Sequence, residues 1–159
     1  LLVDNNSGVL SRISGLFTRR GYNIDSITAG VTADPRFTRI TIVSSGDEII
    51  LSQIEKQIAK LEDVIVVKVL KPEESVYREL ILVKIRANAQ QRSEIVSIAD
   101  IFRAKIVDAE RESLVIELTG TQSKLEAFLQ LLDGYEILEL ARTGIAGLSR
   151  GIKDVTFIE

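Results

Sequence analysis

Cysteine and histidine are both absent from the 159 residues. Without cysteine there are no disulfides, no thiolate nucleophile and no cysteine-ligated metal. Without histidine the commonest general base and metal ligand near neutral pH is missing. Asp, Glu and Lys still offer chemistry, so catalysis is disfavoured without being excluded. No apolar run approaches the roughly 18 residues that a membrane-spanning helix needs, and no membrane partner is expected. The formal charge is −3 with both signs well mixed. That balance argues softly against nucleic acid, whose binders usually carry a basic stripe, and no nucleic-acid partner is expected either.

What is present is enough apolar sequence, 45% of residues, for one ordinary domain or two small ones. The chain opens Leu1-Leu2-Val3-Asp4, without Met, and reads as the end of a strand that starts upstream. Val9, Leu10, Ile13, Leu16 and Phe17 share one helical face over residues 8–19, with Asn6 or Ser7 as the expected cap and Gly21 as the stop. Tyr22–Val31 and Phe37–Ser44 read as strands around an Asp34-Pro35 turn. Ile50, Ile54, Ile58 and Leu61 mark a second helix, opened by a Ser45/Glu48 capping box or by Asp47. Val64–Leu70 completes a β-α-β-β-α-β series.

The same series then recurs. Lys71-Pro72-Glu73-Glu74-Ser75 is polar and interrupted by proline. Beyond it, Leu80–Ala87 is a strand and Ile95, Ile98, Ala99 and Phe102 line a helix. Strands follow at Lys105–Ala109 and Leu114–Thr119, then a helix lined by Leu125, Phe128, Leu129 and Leu132, then a strand at Glu136–Ala141. The fold class is therefore α+β, two ferredoxin-like βαββαβ domains in tandem, the first strand truncated. The expected division is 1–71, a linker at 72–76, a second domain at 77–143, and a Gly-rich tail at 144–159. Val155–Ile158 in that tail is a short edge strand, a partner-docking segment or a simple floppy end. Alternate residues of Ile24–Ile27, Ile40–Ile42 and Leu80–Ile85 are expected on the sheet faces without helices. Uncovered, such faces are a liability for units of about 70 residues, so pairing of units is expected.

Few residues carry chemistry. The turn Asn5-Asn6-Ser7-Gly8 is either a plain helix start or an anion site, where N–H groups meet a carboxylate and Gly8 permits close approach. Asn5 has an oxygen suited to an α-amino group. Asn23 either satisfies its own turn or faces that same pocket. Arg19-Arg20 is a solvated pair at a helix end. Glu110, Glu112, Glu117, Asp4, Asp25 and Asp47 form no acid–base pair or metal-ligand spacing, and the tail glycines lack the Lys-Ser/Thr of a phosphate loop. A binding module is favoured over an enzyme.

The segments Asn5-Asn6-Ser7-Gly8-Val9-Leu10-Ser11-Arg12-Ile13-Ser14-Gly15-Leu16-Phe17 and Arg19-Arg20-Gly21-Tyr22-Asn23-Ile24-Asp25-Ser26 resemble the acetolactate synthase (acetohydroxyacid synthase) small-subunit family. So do Arg39-Ile40-Thr41-Ile42, Glu55-Lys56-Gln57-Ile58, Arg78-Glu79-Leu80, Ala141-Arg142-Thr143-Gly144 and Leu148-Ser149-Arg150-Gly151. The resemblance spans nearly the whole chain. It implies that residues 1–71 are an ACT domain, a small-molecule sensor. It also implies a non-catalytic regulatory subunit that activates the large catalytic subunit and confers feedback inhibition by valine, with leucine or isoleucine as weaker effectors, in branched-chain amino acid biosynthesis. It places valine between ACT domains of a homodimer, held by Asn5, Gly8 and Asn23, with Thr28, Gly30 and Gln53 lining the pocket. Gly30 stands where relatives often carry Ala or another small residue. Docking is assigned to the second domain near Arg142, Thr143 and Gly144. This chain holds no cofactor, whereas thiamin diphosphate, Mg2+ and FAD belong to the partner. A cytoplasmic location is implied, or a plastid or mitochondrion if a targeting segment has been removed. The alternative function is a free-standing ACT-type sensor acting on another protein.

Overall fold

The computed structural model describes residues 1–152, and Val155–Ile158 lie outside them. Two units are present. One comprises Leu1–Val76 together with the chain from Ile145 onward, the other Tyr77–Gly144. Each is built on a four-stranded antiparallel βαββαβ sheet carrying two helices, and the second sheet gains a fifth strand.

In the first unit the elements are β1 (Leu2–Asp4), α1 (Val9–Arg20), β2 (Ser26–Val31), β3 (Phe37–Val43), α2 (Glu48–Ile58) and β4 (Val64–Val66). The sheet order is β2-β3-β1-β4, which leaves β2 as an edge strand. The helical period of Val9, Ile13, Leu16 and Phe17 buries all four. They meet Val3, Ile40, Ile54 and Ile58 in one core. Ile40 and Ile42 are two residues apart and therefore on the same face. Both pack toward the helices, Ile40 at 1% exposure, so the expectation that this pair helps cover the other face is corrected. β4 ends at Val66 rather than Leu70, and Tyr22 lies in the turn before β2, packed edge-on against Phe17 with centroids 5.9 Å apart.

Pro72–Glu74 form one turn of 3₁₀ helix, consistent with proline at a helix start. The second unit has β5 (Ser75–Arg86), α3 (Ala89–Ile101), β6 (Lys105–Ala109), β7 (Ser113–Gly120), α4 (Gln122–Leu131) and β8 (Ile137–Arg142), in the order β6-β7-β5-β8. β5 begins at Ser75, earlier than the expected Leu80. Ile81, Val83 and Ile85 alternate into a core with Ile95, Leu114, Ile116 and Phe128, and Phe128 stacks edge-on against Phe102. The Gly-rich stretch is not a loose tail, because Ala146–Ser149 form a further strand, β9, paired with β5. The first two residues of β5, Ser75 and Val76, cluster with the first unit, as does β9.

Helix starts differ in a consequential way. Asp47 caps α2 by accepting from the Ile50 N–H at 2.8 Å. Asn88 and Gln91 form a full capping box on α3, and Thr121 caps α4. On α1 the N-cap is Gly8, and no side chain caps it, so the expected Asn6 or Ser7 cap is not formed. Asn88→Ala should cost about 1 kcal/mol of stability, whereas Ser7→Ala should change it by only a few tenths at most. Urea titrations of both variants compare the two caps directly.

Candidate functional site

The turn between β1 and α1 is set by two constraints. The Asn6 N–H bonds back to the Asp4 carbonyl at 2.9 Å, and Gly8 adopts φ +85°. That left-handed backbone suits glycine and is costly for other L-residues. A Cβ at Gly8 would come within 3.1 Å of Arg12 Nη1, whose guanidinium is held by Asp63 at 2.6 Å. The result is a helix N-terminus with outward N–H groups, a glycine beside it, and a neighbouring arginine already engaged.

Asn5 sits at the rim of this turn. Its Nδ2 donates to the Pro35 carbonyl at 2.9 Å, its Oδ1 accepts from Thr38 Oγ1 at 3.0 Å, and its N–H donates to Arg36 O at 2.8 Å. Asn5 thus pins β1 to the hairpin between β2 and β3. Its carboxamide oxygen keeps a second lone pair. The hairpin is fixed by Asp34, whose carboxylate accepts from the Arg36 side chain at 2.6 Å and from its N–H at 3.0 Å. Those bonds hold the Asp34 carboxyl below the usual range.

Asn23 lies elsewhere. Its Nδ2 donates to Asp25, whose other oxygen accepts from Ser45, and its carbonyl accepts from Ser44 Oγ at 2.6 Å. Asn5 stands at the Phe37 end of β3, where Asp4 pairs with Phe37, and Asn23 at the Val43 end, where Ser26 pairs with Val43. Seven strand residues separate those ends, about 20 Å. Thr28 and Gly30 lie between them on β2, opposite Thr41 and Arg39. Thr28 is half-buried, Gly30 is exposed, and a Cβ on Gly30 would meet nothing within 4 Å. Gln53 is exposed on α2 and accepts from the Tyr22 hydroxyl at 3.4 Å. One chain therefore gathers Asn5 with Gly8, and Asn23 with Tyr22 and Gln53, as two separate clusters.

The second unit's candidates serve its fold. Arg142 lies 3.9 Å from the buried carboxylate of Glu79. The Thr143 N–H donates to Leu80 O, and Thr143 Oγ1 accepts from Leu80 N, each at 3.1 Å. Gly144 is buried with φ +83°. Among the described residues no three His, Cys, Asp or Glu could hold a metal ion, and no helix is long and apolar enough to cross a membrane. Sequence reasoning did not connect Thr38 with Asn5, or Asp25 and Ser45 with Asn23. The Asn23/Asp25 spacing is a usable turn signal, while Thr38 has no local signature.

Residues 1–66 match the family model for an acetohydroxyacid synthase small subunit-like ACT domain, and residues 78–151 match that for the small subunit of acetolactate synthase. The chain belongs to the acetolactate synthase small-subunit family. It is 49% identical over 151 residues to the probable acetolactate synthase small subunit of Methanothermobacter thermautotrophicus, covering 94% of this chain and 90% of that one. It is 47% identical to the isozyme 3 small subunit of Escherichia coli, covering 96% and 94%. The acetolactate synthase small subunit of Thermotoga maritima superposes with a TM-score of 0.87 at 43% identity, over 94% of each chain. The tandem ferredoxin-like reading and the ACT assignment of the N-terminal unit agree with these matches.

The two glycines of the candidate site should respond oppositely. Gly8→Ala should destabilise by about 1–2 kcal/mol through its left-handed backbone. Gly30→Ala should be neutral or stabilise by up to about 1 kcal/mol, since the space is open and glycine is costly in a strand. Thermal unfolding distinguishes the pair. Asp34 adds its stabilisation above the ordinary carboxylate pKa and loses it as pH falls through the lowered value. Arg36→Ala, which removes the side-chain bonds and keeps the backbone N–H bond, should raise the Asp34 pKa toward the ordinary range in an NMR titration.

Proposed function

We propose that this chain is the regulatory subunit of an acetolactate synthase. In this reading it activates the large catalytic subunit and carries feedback inhibition by valine in branched-chain amino acid synthesis, with leucine and isoleucine as weaker effectors. Thiamin diphosphate, Mg2+ and FAD act in the large subunit, and the residues of this chain hold none of them.

The observation that carries the effector site is the uncapped start of α1, in a molecule whose other three α-helices are each capped by a side chain. Backbone N–H groups and the positive helix end suit a carboxylate, and Gly8 keeps the approach open. Asn5 is tied to the hairpin, which fixes its oxygen for the α-amino group. The branched side chain needs an apolar niche, worth about 2 kcal/mol when buried.

Asn23 cannot reach that turn within its own chain, being at the far end of β3. In the proposed two-fold pair the Asn5 end of one first unit lies beside the Asn23 end of the other, and because an isologous contact is reciprocal the pair then holds two such niches. The edge strand β2 carries Thr28 and Gly30 along that border, with Ile27 and Val31 exposed beside them. Valine held between two copies favours the paired arrangement. By linkage, engagement of the catalytic subunit changes valine affinity in return. The second unit, with Arg142, Thr143 and Gly144, is assigned to docking.

The test is reconstitution. The purified large subunit is mixed with this chain, and acetolactate formation is followed with and without valine. Activation that valine suppresses is expected. An unchanged rate in both conditions would remove the assignment. Asn5→Ala should raise the half-inhibitory valine concentration about tenfold, the loss of one charge-assisted hydrogen bond, and leave activation intact. Gly8→Asp should abolish the response, because its carboxylate occupies the place of the ligand's.

A further inference from the structure

The chain leaves β8 of the second unit at Arg142 and within three residues belongs to the first unit again. Thr143 is bonded twice to Leu80 in the second unit. Ile145 clusters with the first. The one residue between them, Gly144, is buried and left-handed at φ +83°. A non-glycine residue resists that backbone, so Gly144 is a defined turn rather than a slack link.

Beyond that turn, the strand Ala146–Ser149 pairs with β5, and the segment 145–150 is further held against the first unit by two side chains and a backbone bond. Lys68 Nζ donates to Ser149 Oγ at 2.8 Å, and Arg39 Nη2 donates to the Gly147 carbonyl at 3.5 Å. The Arg150 N–H donates to Glu74 O at 2.8 Å. Gly147 is buried. Arg39 lies on β3 directly opposite Gly30 of β2 on one side and Leu2 of β1 on the other. It therefore spans from the edge that borders the candidate effector niche to the segment that leads back to the second unit.

We propose that Ala146–Ser149 is a strap latched to the sensor sheet by Arg39 and Lys68, and that it conveys effector occupancy to the second unit through Gly144. This rests on the effector reading above. A shift of β2 when its edge is occupied moves the Gly30–Arg39 pair, and Arg39 changes its hold on Gly147. Arg39 and Lys68 are positioning residues, since they touch the strap and no ligand. The second crossing of the chain, inside β5, lies in a continuous strand and has no comparable left-handed turn.

The experiment reads binding and response separately on the full chain with its large subunit. Valine affinity is measured by calorimetry, and valine inhibition by acetolactate formation, for the wild type, Arg39→Ala/Lys68→Ala and Lys68→Arg. The double variant should bind valine within about twofold of the wild type and still activate. Its half-inhibitory concentration should rise at least about fivefold, the lower end of ordinary coupling. Lys68→Arg, which keeps the donor, should behave as the wild type. Amide exchange at 146–149 should slow when valine binds the wild type and not in the double variant. Undiminished inhibition in the double variant would overturn the strap. So would binding and inhibition falling by the same factor, which marks a merely structural role. A wild type that neither binds nor responds to valine removes the effector reading, and with it the signal the strap would carry.

Discussion

The N–H groups of the first turn of α1 carry partial positive charge, and among the described residues no side-chain cap is formed on them. The local arrangement follows from that. Asn5, one residue past the end of β1, gives its carboxamide to the 35–38 hairpin instead. Asn6 turns back onto Asp4, and Gly8 takes the left-handed backbone that starts the helix. Arg12 is drawn off by Asp63. What remains is a short turn at one corner of the sheet that leads into an uncapped helix start, the feature on which the effector proposal rests.

The two units share a topology but differ where function would lie. In the second, the equivalent step between β5 and α3 is closed by the Asn88–Gln91 capping box, so its helix start has nothing left to offer a ligand. Its core is also the more completely sealed, with Ile81, Val83, Ile85 and Phe128 fully buried. In the second unit the polar end residues Glu79, Arg142 and Thr143 are spent on holding β8 to β5. The proposed division between a binding half and an acting half fits that contrast.

Much of this was legible in the sequence where the signal is local. The period of Val9, Ile13, Leu16 and Phe17 located α1, Gly21 located its end, and the repeated order of elements gave the tandem fold. The failures have physical reasons. Asn6 and Ser7 have capping chemistry, but the bond from Asn6 to Asp4 commits the turn differently. β9 is short and glycine-rich, and it forms only because β5, some 70 residues earlier, supplies its partner, which no propensity reveals. Separations of 30 and 33 residues likewise hid the ties of Asn5 to Pro35 and Thr38. Asn23 was readable both as a turn residue and as a pocket residue, and its bond to Asp25 establishes the first of these within a single chain.

The separation of Asn5 and Asn23 along β3 makes the shared niche open to a direct test by mixing. Asn5→Ala and Asn23→Ala chains, each impaired alone, are unfolded together, refolded as a 1:1 mixture and titrated with valine by calorimetry. If each niche takes Asn5 from one copy and Asn23 from the other, every mixed dimer has one intact site, and about a quarter of the wild-type sites return at wild-type affinity. If the mixture binds no better than either variant alone while still forming dimers, the niche is not shared between copies and the central claim is wrong.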